Sequence, residues 1–274
     1  MNCQQSFIII KSHILDFYHK IKGYTPESLS LLSPEELYLL YQDLDYVSHL
    51  EVSDHLVYQI LEDPDVRQAL STIRPYYSAF FGHHEIHLAE KLLKEEKPWS
   101  VLRDFPLCPR YKELIENQIR ATGLSLDETL AFVGCGPLPI TLILLSRLYG
   151  FRSIGLDTNP QAVSVAIKCI GRLGLEREVS IVEGDESALR DLEWDSVLVA
   201  ALAEPKPRIF RTLLSILKDK GPLPVCYRTY SGMRAVLRHP VQPEDVKGFR
   251  KVREIIPTGQ VNNTLVVLEP EEDG

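Results

Sequence analysis

Two glycines and two carboxylates in this chain are spaced as in a nucleoside-binding site. Gly134 and Gly136 follow an apolar run at residues 130–133 and precede a helical apolar pattern at 140–148. This arrangement opens the nucleotide site of doubly wound α/β domains, because only glycine lets a ligand approach the backbone so closely. Asp157 comes 21 residues after Gly136, where an acid can accept hydrogen bonds from both ribose hydroxyls. Asp185, after the next apolar run, is a candidate acceptor for an adenine amino group.

The ligand that these residues favour is S-adenosylmethionine rather than NAD. The third glycine of the dinucleotide fingerprint is absent, which weakens the case for a pyrophosphate site, and a sulfonium cation suits an acidic pocket. Asp157 has an alternative and compatible role as a helix N-cap, since Asn159 and Pro160 follow it. The predicted cofactor-binding residues are Gly134, Cys135, Gly136, Pro137, Asp157, Asn159 and Asp185.

Strands and helices alternate from residue 129 onward, which predicts an α/β domain with a mostly parallel sheet covered on both faces. The last two strands, joined by residues 257–259, are expected to form an antiparallel edge and complete a seven-stranded Rossmann-like sheet. Expected strands are 129–133, 152–157, 179–183, 195–201, 223–229, 250–256 and 263–269, and expected helices are 138–149, 160–173, 205–218 and 230–237.

Residues 1–122 are predicted to form a helical N-terminal cap domain, and residues 123–274 the S-adenosylmethionine-binding domain. Helices are expected from Ser33-Pro34, from Asp54, and from Pro64, with Pro75 bending or ending the last of these before another helix at 76–93. Residues 97–109 are expected to be a connector, with one more helix at 111–122. Lys206 and Arg208, at the start of a later helix, are expected to face solvent.

Composition excludes several classes of function. The chain has 274 residues, 45% of them hydrophobic and 25% charged, and a formal net charge of −8, without a basic stripe for duplex nucleic acid. Its five cysteines are scattered, which indicates reduced thiols in the cytoplasm rather than a disulfide framework. No stretch approaches the roughly 20 apolar residues of a membrane helix, so no membrane partner is expected.

Three sequence blocks resemble the nicotianamine synthases, and most of all their short archaeal form. They are Gly-Cys-Gly-Pro-Leu-Pro at 134–139, Pro-Arg-Tyr-Lys-Glu-Leu-Ile-Glu at 109–116 and Arg-Thr-Tyr-Ser-Gly-Met-Arg-Ala-Val-Leu at 228–237. Two further blocks, at 200–206 and 259–264, are similar to the archaeal branch in particular. The resemblance extends from about residue 70 to 268.

This resemblance implies transfer of the 3-amino-3-carboxypropyl group of S-adenosylmethionine to an amine, with release of 5′-methylthioadenosine. The products of the family are metal-chelating amino acids. Plant members carry serine at the position of Cys135, and they are longer and close an azetidine ring, so the ring step stays open for this chain.

The same resemblance assigns Glu85 as general base and Tyr111 as the group that aligns the amine or relays its proton. A displacement at carbon needs a neutral amine, and a carboxylate in a dry pocket can take the proton of an ammonium. Glu85 lies among aromatic residues and histidines, which is unusual for a solvated helix face; its alternative role is pairing with a histidine. Packing is the alternative for Tyr111. The neighbouring histidines lack the spacing of a zinc protease, and no metal is expected.

Carboxylates of the growing product require cationic and amide partners. Arg228, at the expected carboxyl edge of the sheet, is the first candidate, with Arg234 as a second that has the alternative role of a helix-surface charge. Asn263 and Tyr24 are also predicted to bind substrate. The expected partners are small molecules, with a homodimer as an option for assembly.

The first acceptor is left open between glutamate, a second S-adenosylmethionine and another amino acid. Three alternatives accompany this prediction. They are a single transfer to histidine, as in opine-type metallophore synthesis, a small-molecule N-methyltransferase, and a module that binds S-adenosylmethionine without turnover.

Overall fold

The computed structural model describes residues 3–271 and consists of helices in the first part of the chain and alternating strands and helices after it. The helices are α1 (Cys3–Ile21), α2 (Pro26–Ser30), α3 (Pro34–Ser48), α4 (Asp54–Glu62), α5 (Pro64–Lys94), α6 (Pro98–Arg103), α7 (Cys108–Thr122), α8 (Ile140–Tyr149), α9 (Pro160–Leu173) and α10 (Lys206–Lys220). The strands are β1 (Thr129–Val133), β2 (Arg152–Asp157), β3 (Val179–Glu183), β4 (Ser196–Val199), β5 (Val225–Thr229), β6 (Phe249–Ile255) and β7 (Thr264–Pro270).

The seven strands form one sheet in the order β3-β2-β1-β4-β5-β7-β6. Strands β1 to β5 pair in parallel, whereas β7 pairs antiparallel with both β5 and β6. The predicted α/β class, the mostly parallel sheet and the antiparallel edge are therefore confirmed. Because the strand order reverses beside β1, the carboxyl ends of β1, β2 and β4 border the crevice in which open α/β sheets bind ligands.

The central strands β1, β4 and β5 are buried on both faces, as expected for parallel strands between helices, whereas the edge strand β6 is largely exposed. On one face, Val133, Val197 and Val199 belong to a core cluster with Ile209, Phe210 and Leu213 of α10. Helix α8 is buried on all sides along its first seven residues, 140–146, rather than on one face only. Rigid packing of this kind holds the loops at the strand ends in position.

The prediction that Pro75 bends or ends a helix, with a separate helix at 76–93, was wrong in its division of the chain, because α5 continues through Pro75 to Lys94. A proline inside a helix costs about 3 kcal/mol. Pro75 lies on the exposed side, while Ile73, Tyr76 and Phe80 are buried. Each buried side chain of this size contributes about 1.5–3 kcal/mol, which outweighs the cost. The expected connector contains α6, and a 3₁₀ helix at Gly232–Val236 replaces the expected helix at 230–237.

The chain divides into two compact units. The first comprises the described residues up to His84 together with Tyr230–Pro240, and its core includes Tyr41 stacked on Phe80 with ring centroids 4.5 Å apart. The second comprises Glu85–Thr229 and the described residues from Val241 onward, and it contains the sheet. The domain boundary at residue 122 remains a prediction. Among residues 3–271, no helix has the length and apolar character needed to cross a membrane.

Candidate active site

The glycine turn follows β1 and is held by the ends of two neighbouring strands. Gly134 and Gly136 have φ angles of +81° and +70°, in the left-handed region that favours glycine. The N–H groups of Gly134 and Cys135 both donate to the carbonyl oxygen of Leu156 in β2, at 2.8 and 2.9 Å. A Cβ atom built on Gly134 would lie 2.8 Å from Cβ of Ala203, in the loop after β4. The turn therefore has no space for a side chain on that side.

Asp157, the last residue of β2, is fixed by two backbone N–H groups. Its Oδ2 accepts a hydrogen bond from Gly136 N at 2.9 Å, and its Oδ1 accepts one from Asn159 N at 3.0 Å. Each carboxylate oxygen keeps a further lone pair, so the group can still accept from a ribose diol. The helix N-cap is Asn159, whose Oδ1 accepts from the N–H groups of Gln161 and Ala162. The alternative role of Asp157 as the cap is therefore wrong.

Glu85 reaches the glycine turn from the carboxyl-terminal half of α5. A Cβ atom built on Gly136 would lie 2.7 Å from Oε2 of Glu85, so the carboxyl group occupies the space directly over this glycine. Burial, and secondly the negative charge of Asp157, raise the pKa of Glu85 to about 8. At neutral pH this carboxyl group exchanges a proton readily, which is the property that a general base or acid requires.

Cys135 is buried, and its side chain packs against Gly155 in β2. Its Sγ atom is 3.0 Å from the position that a Cβ atom on Gly155 would take, which explains the glycine in the middle of β2. Burial, with the charges of Asp157 and Glu85, raises the pKa of the Cys135 thiol. The thiol is therefore protonated and a poor nucleophile, and the predicted contribution of Cys135 to the ligand site is assigned to its backbone. Pro137, next in the turn, is half-buried.

Asp185 lies in the loop that follows β3. The Gly184 N–H donates to the carbonyl oxygen of Asp157 at 3.0 Å, so the loop after β3 is bound directly to the end of β2. Asp185 Oδ1 accepts from the backbone N–H of Ser187 at 3.0 Å and from its hydroxyl at 2.5 Å, and these bonds lower the pKa of Asp185. Asp185 is therefore ionised and held one loop away from Asp157.

Arg228 is buried within the sheet domain, with 5% of its surface exposed. It lies on β5, and its Nη1 donates to Oγ1 of Thr141, in the first turn of α8, at 3.0 Å. Its guanidinium group lies 5.4 Å from the ring centroid of Phe132 in β1. This burial, beside the helix that follows the glycine turn, is compatible with capture of a carboxylate in an enclosed site.

The sequence model of the nicotianamine synthase protein family matches residues 3–273 of this chain. The chain belongs to this family. It is similar to L-histidine 2-aminobutanoyltransferase from Yersinia pestis, with 25% identity over 213 residues that cover 77% of each chain. It is also similar to nicotianamine synthase 3 from Arabidopsis thaliana, with 29% identity over 68% of this chain and 62% of the plant protein.

Two solved structures of MtNAS share the whole architecture. A glutamate-to-glutamine mutant of MtNAS in complex with S-adenosylmethionine has a TM-score of 0.87 and 32% identity, covering 95% of this chain and 97% of the other. MtNAS in complex with MTA and tNA has a TM-score of 0.85 and 32% identity, covering 98% of each chain. The nicotianamine synthase resemblance seen in the sequence motifs is thereby confirmed.

The other predicted substrate residues of this nicotianamine synthase-family chain lie on several elements. Tyr111 is half-buried in the first turn of α7, with its ring centroid 6.2 Å from that of Phe105. Asn263 immediately precedes β7, and its buried Nδ2 has no hydrogen-bond partner among residues 3–271. Tyr24 belongs to the first compact unit and is 37% exposed. Their roles remain predictions.

Arg234, the second carboxylate candidate, is buried in the 3₁₀ helix at Gly232–Val236. The alternative role of a helix-surface charge is therefore wrong for this residue. Among the histidines near Glu85, His84 is buried and stacks on Phe80, with ring centroids 5.4 Å apart. Across the described part of the chain, no group of three or more potential metal ligands is found.

Lys206 and Arg208 were expected to face solvent, but Lys206 is buried and Arg208 is bound to a buried carboxylate. Lys206 is only 3% exposed, and its Nζ donates to the carbonyl oxygens of Ala200 and Ala201 at 3.1 Å and of Ala203. Arg208 remains partly exposed but donates to Oε2 of the buried Glu186 at 3.1 Å. Helical periodicity does not reveal this burial, because the packing partners are loop carbonyls and a distant carboxylate.

Proposed function

We propose that this nicotianamine synthase-family chain transfers the 3-amino-3-carboxypropyl group of S-adenosylmethionine to the amine of an amino acid, releasing 5′-methylthioadenosine. The observation that carries the proposal is the position of the Glu85 carboxyl group, which lies over Gly136. A proton-accepting group thereby lies beside the turn predicted to bind the nucleoside. Relatives of this chain include enzymes named for nicotianamine synthesis and for aminobutanoyl transfer.

The nucleoside end of the donor is assigned to the loops at the carboxyl ends of β1, β2 and β3. Gly134 and Gly136 give close access to the backbone, and Asp157 has lone pairs available for the ribose hydroxyls. Asp185 is the acceptor for the adenine amino group. These carboxylates also make the site favourable for a sulfonium cation, since opposite charges attract strongly in a partly desolvated pocket.

The chemical step is a displacement at the carbon atom next to sulfur. The amine nitrogen forms a bond to the terminal methylene of the 3-amino-3-carboxypropyl group, the carbon–sulfur bond breaks, and its electron pair stays on sulfur. The sulfonium becomes the neutral thioether of 5′-methylthioadenosine. The amine loses one proton, which the Glu85 carboxylate accepts. The raised pKa of Glu85, about 8, is close to that of an ammonium, so this transfer is nearly balanced in free energy.

The acceptor side is assigned to residues that can align an amine or pair with carboxylates. Tyr111 orients the amine or relays its proton, and Arg228 binds a carboxylate of the acceptor or the growing product. Asn263 and Tyr24 supply further hydrogen bonds. The first acceptor is glutamate, a second S-adenosylmethionine or another amino acid, and repeated transfers build a metal-chelating product of the nicotianamine type.

A second candidate is a single transfer to histidine. It is favoured by the similarity to L-histidine 2-aminobutanoyltransferase from Yersinia pestis, which covers 77% of this chain. Both candidates use the same donor and release the same nucleoside. They differ in the acceptor and in the number of aminobutyrate units in the product.

The test is incubation of the protein with S-adenosylmethionine alone, with glutamate and with histidine, followed by mass spectrometry of nucleosides and amino acids. The proposal expects 5′-methylthioadenosine and an amino acid enlarged by one or more aminobutyrate units. Release of S-adenosylhomocysteine would identify a methyltransferase and refute the proposal. Tight binding without turnover in every mixture would indicate a binding module. A cytoplasmic location and a homodimer remain predictions.

A further inference from the structure

Lys206 is a buried cation in an unfavourable place. It is the first residue of α10, where the positive end of the helix dipole repels a cation. Removing an ammonium group from water costs several kcal/mol unless hydrogen bonds compensate. The carboxylate of Glu204 is 3.7 Å from Nζ, and the Glu204 side chain is 44% exposed. An ion pair of this kind contributes little, so the compensation comes from other groups.

Three carbonyl oxygens supply that compensation. Lys206 Nζ donates to the carbonyl oxygens of Ala200 and Ala201, at 3.1 Å each, and of Ala203. All three belong to the short loop that follows β4, called here the alanine loop (residues 200–203). Ala203 N also donates to Ala200 O at 3.2 Å, which closes the loop as a turn. Each hydrogen bond to a charged donor contributes about 1.5–3 kcal/mol, so Lys206 holds this loop in one conformation.

The alanine loop forms one wall of the glycine turn. Ala200 N donates to Val133 O, the last residue of β1, at 3.0 Å. A Cβ atom on Gly134 would lie 2.8 Å from Cβ of Ala203 and 3.4 Å from Cβ of Ala200. The loop therefore packs against Gly134 with no room for a side chain between them, and a change in the conformation of the loop would alter the surroundings of the backbone that is expected to approach the nucleoside.

We propose that Lys206 is a positioning residue for the nucleoside end of S-adenosylmethionine, acting through the alanine loop on Gly134. The identity of the ligand rests on the proposed function, whereas the action of Lys206 on the turn rests on its own contacts. Lys206 itself touches no substrate. Its loss should weaken binding of the donor more than it slows the transfer step, since Glu85 reaches the turn from another element.

The experiment compares Lys206→Met, Lys206→Arg and Lys206→Gln with the wild-type protein, and uses Lys220→Met as control. Lys220 lies at the other end of α10 and also donates to one carbonyl oxygen, that of Leu192, at 2.9 Å. The measurements are the Kd of S-adenosylmethionine by calorimetry, KM and kcat from 5′-methylthioadenosine release, and the melting temperature.

Lys206→Met should raise Kd and KM for S-adenosylmethionine at least tenfold while changing kcat less than threefold. Lys206→Arg, which keeps a cation with several donors, should restore Kd to within threefold of wild type. Lys220→Met should lower the melting temperature without changing Kd. A Kd for Lys206→Met within twofold of wild type, or an equal rise in Kd for Lys220→Met, would overturn the proposal.

If Lys206→Met does not fold, Lys206→Gln decides the question, because an amide keeps two N–H donors but no charge. An intermediate Kd supports the inference, and an unchanged Kd refutes it. Wild-type protein that binds no S-adenosylmethionine would refute the proposed function and this inference together. If the wild-type protein binds S-adenosylmethionine and the Lys206 variants bind it with the same Kd, the inference alone is refuted.

Discussion

Replacement of Glu85 by glutamine should change how the stability of the protein depends on pH. Burial and the charge of Asp157 raise the pKa of Glu85 from 4.5 to about 8. Because the folded-state pKa lies above the unfolded value, the native protein holds a proton that the unfolded chain releases between these two values. This group therefore contributes full stability below about pH 4.5, and that contribution is lost as the pH rises toward 8.

The size of the effect follows from the two pKa values. One pKa unit corresponds to about 1.4 kcal/mol. Relative to low pH, the raised pKa of Glu85 therefore lowers the free energy of unfolding by about 3 kcal/mol at pH 7 and by less than about 1 kcal/mol at pH 5. Glutamine has nearly the same shape and carries no charge. The gain in free energy of unfolding of Glu85→Gln over wild type should therefore increase by about 2 kcal/mol between pH 5 and pH 7, and level off above pH 8.

The assay is urea-induced unfolding of both proteins at pH 5, 6, 7 and 8, with Glu90→Gln as control. Glu90 lies on the same helix with its side chain 58% exposed. The difference in free energy of unfolding between Glu90→Gln and wild type should therefore be the same from pH 5 to pH 8. In parallel, Glu85→Gln should bind S-adenosylmethionine as wild type does and release 5′-methylthioadenosine at least about 100-fold more slowly. A stability difference independent of pH would refute the raised pKa, and unchanged turnover would remove Glu85 from the role of base.

Three further predictions concern the glycine turn and the acceptor side. Asp157→Asn should raise the Kd of S-adenosylmethionine at least tenfold. It should also move the acidic limb of the pH–rate profile to lower pH, because the loss of a negative charge beside Glu85 lowers the pKa of Glu85. An acidic limb that stays in place would contradict this interaction between the two carboxyl groups. Gly136→Ala places a side chain at φ +70° and 2.7 Å from Oε2 of Glu85, so it should lower the melting temperature and slow transfer more than tenfold, whereas Gly23→Ala, with nothing within 4 Å, should do neither. Arg228→Met should raise KM for the amino-acid acceptor at least tenfold while Kd for S-adenosylmethionine stays within twofold, and an unchanged KM would remove Arg228 from the acceptor site.

The sheet and its order of elements could be predicted from the sequence because parallel strands leave a strong local pattern. Strand β4, for example, is buried at every residue and contains the continuous apolar run Val-Leu-Val. The turns between the elements contain glycine or proline, which restrict the backbone locally. The helical part was harder to predict. Pro75 is a local signal that the burial of neighbouring aromatic residues overrides, and the energy of that burial depends on residues distant in the chain.

The candidate site was predictable where backbone chemistry demands a residue type. Gly136 and Asp157 are joined by a hydrogen bond of 2.9 Å, and their spacing of 21 residues was already informative. Lys206 was not predictable, because its partners are carbonyl oxygens, which every residue possesses. Asn159, rather than Asp157, caps α9, and a choice between neighbouring acceptors depends on the path of the chain.

The sequence by itself determined the fold class, the glycine turn and the family, since each depends on residue types at short separations along the chain. Only the tertiary structure decided that Glu85 lies over Gly136 with a pKa near 8, and that Lys206 is buried under the alanine loop. Solvation and charge–charge interaction depend on distances in space. Residues about 50 positions apart come into contact only when the helix that carries one of them packs beside the sheet that carries the other.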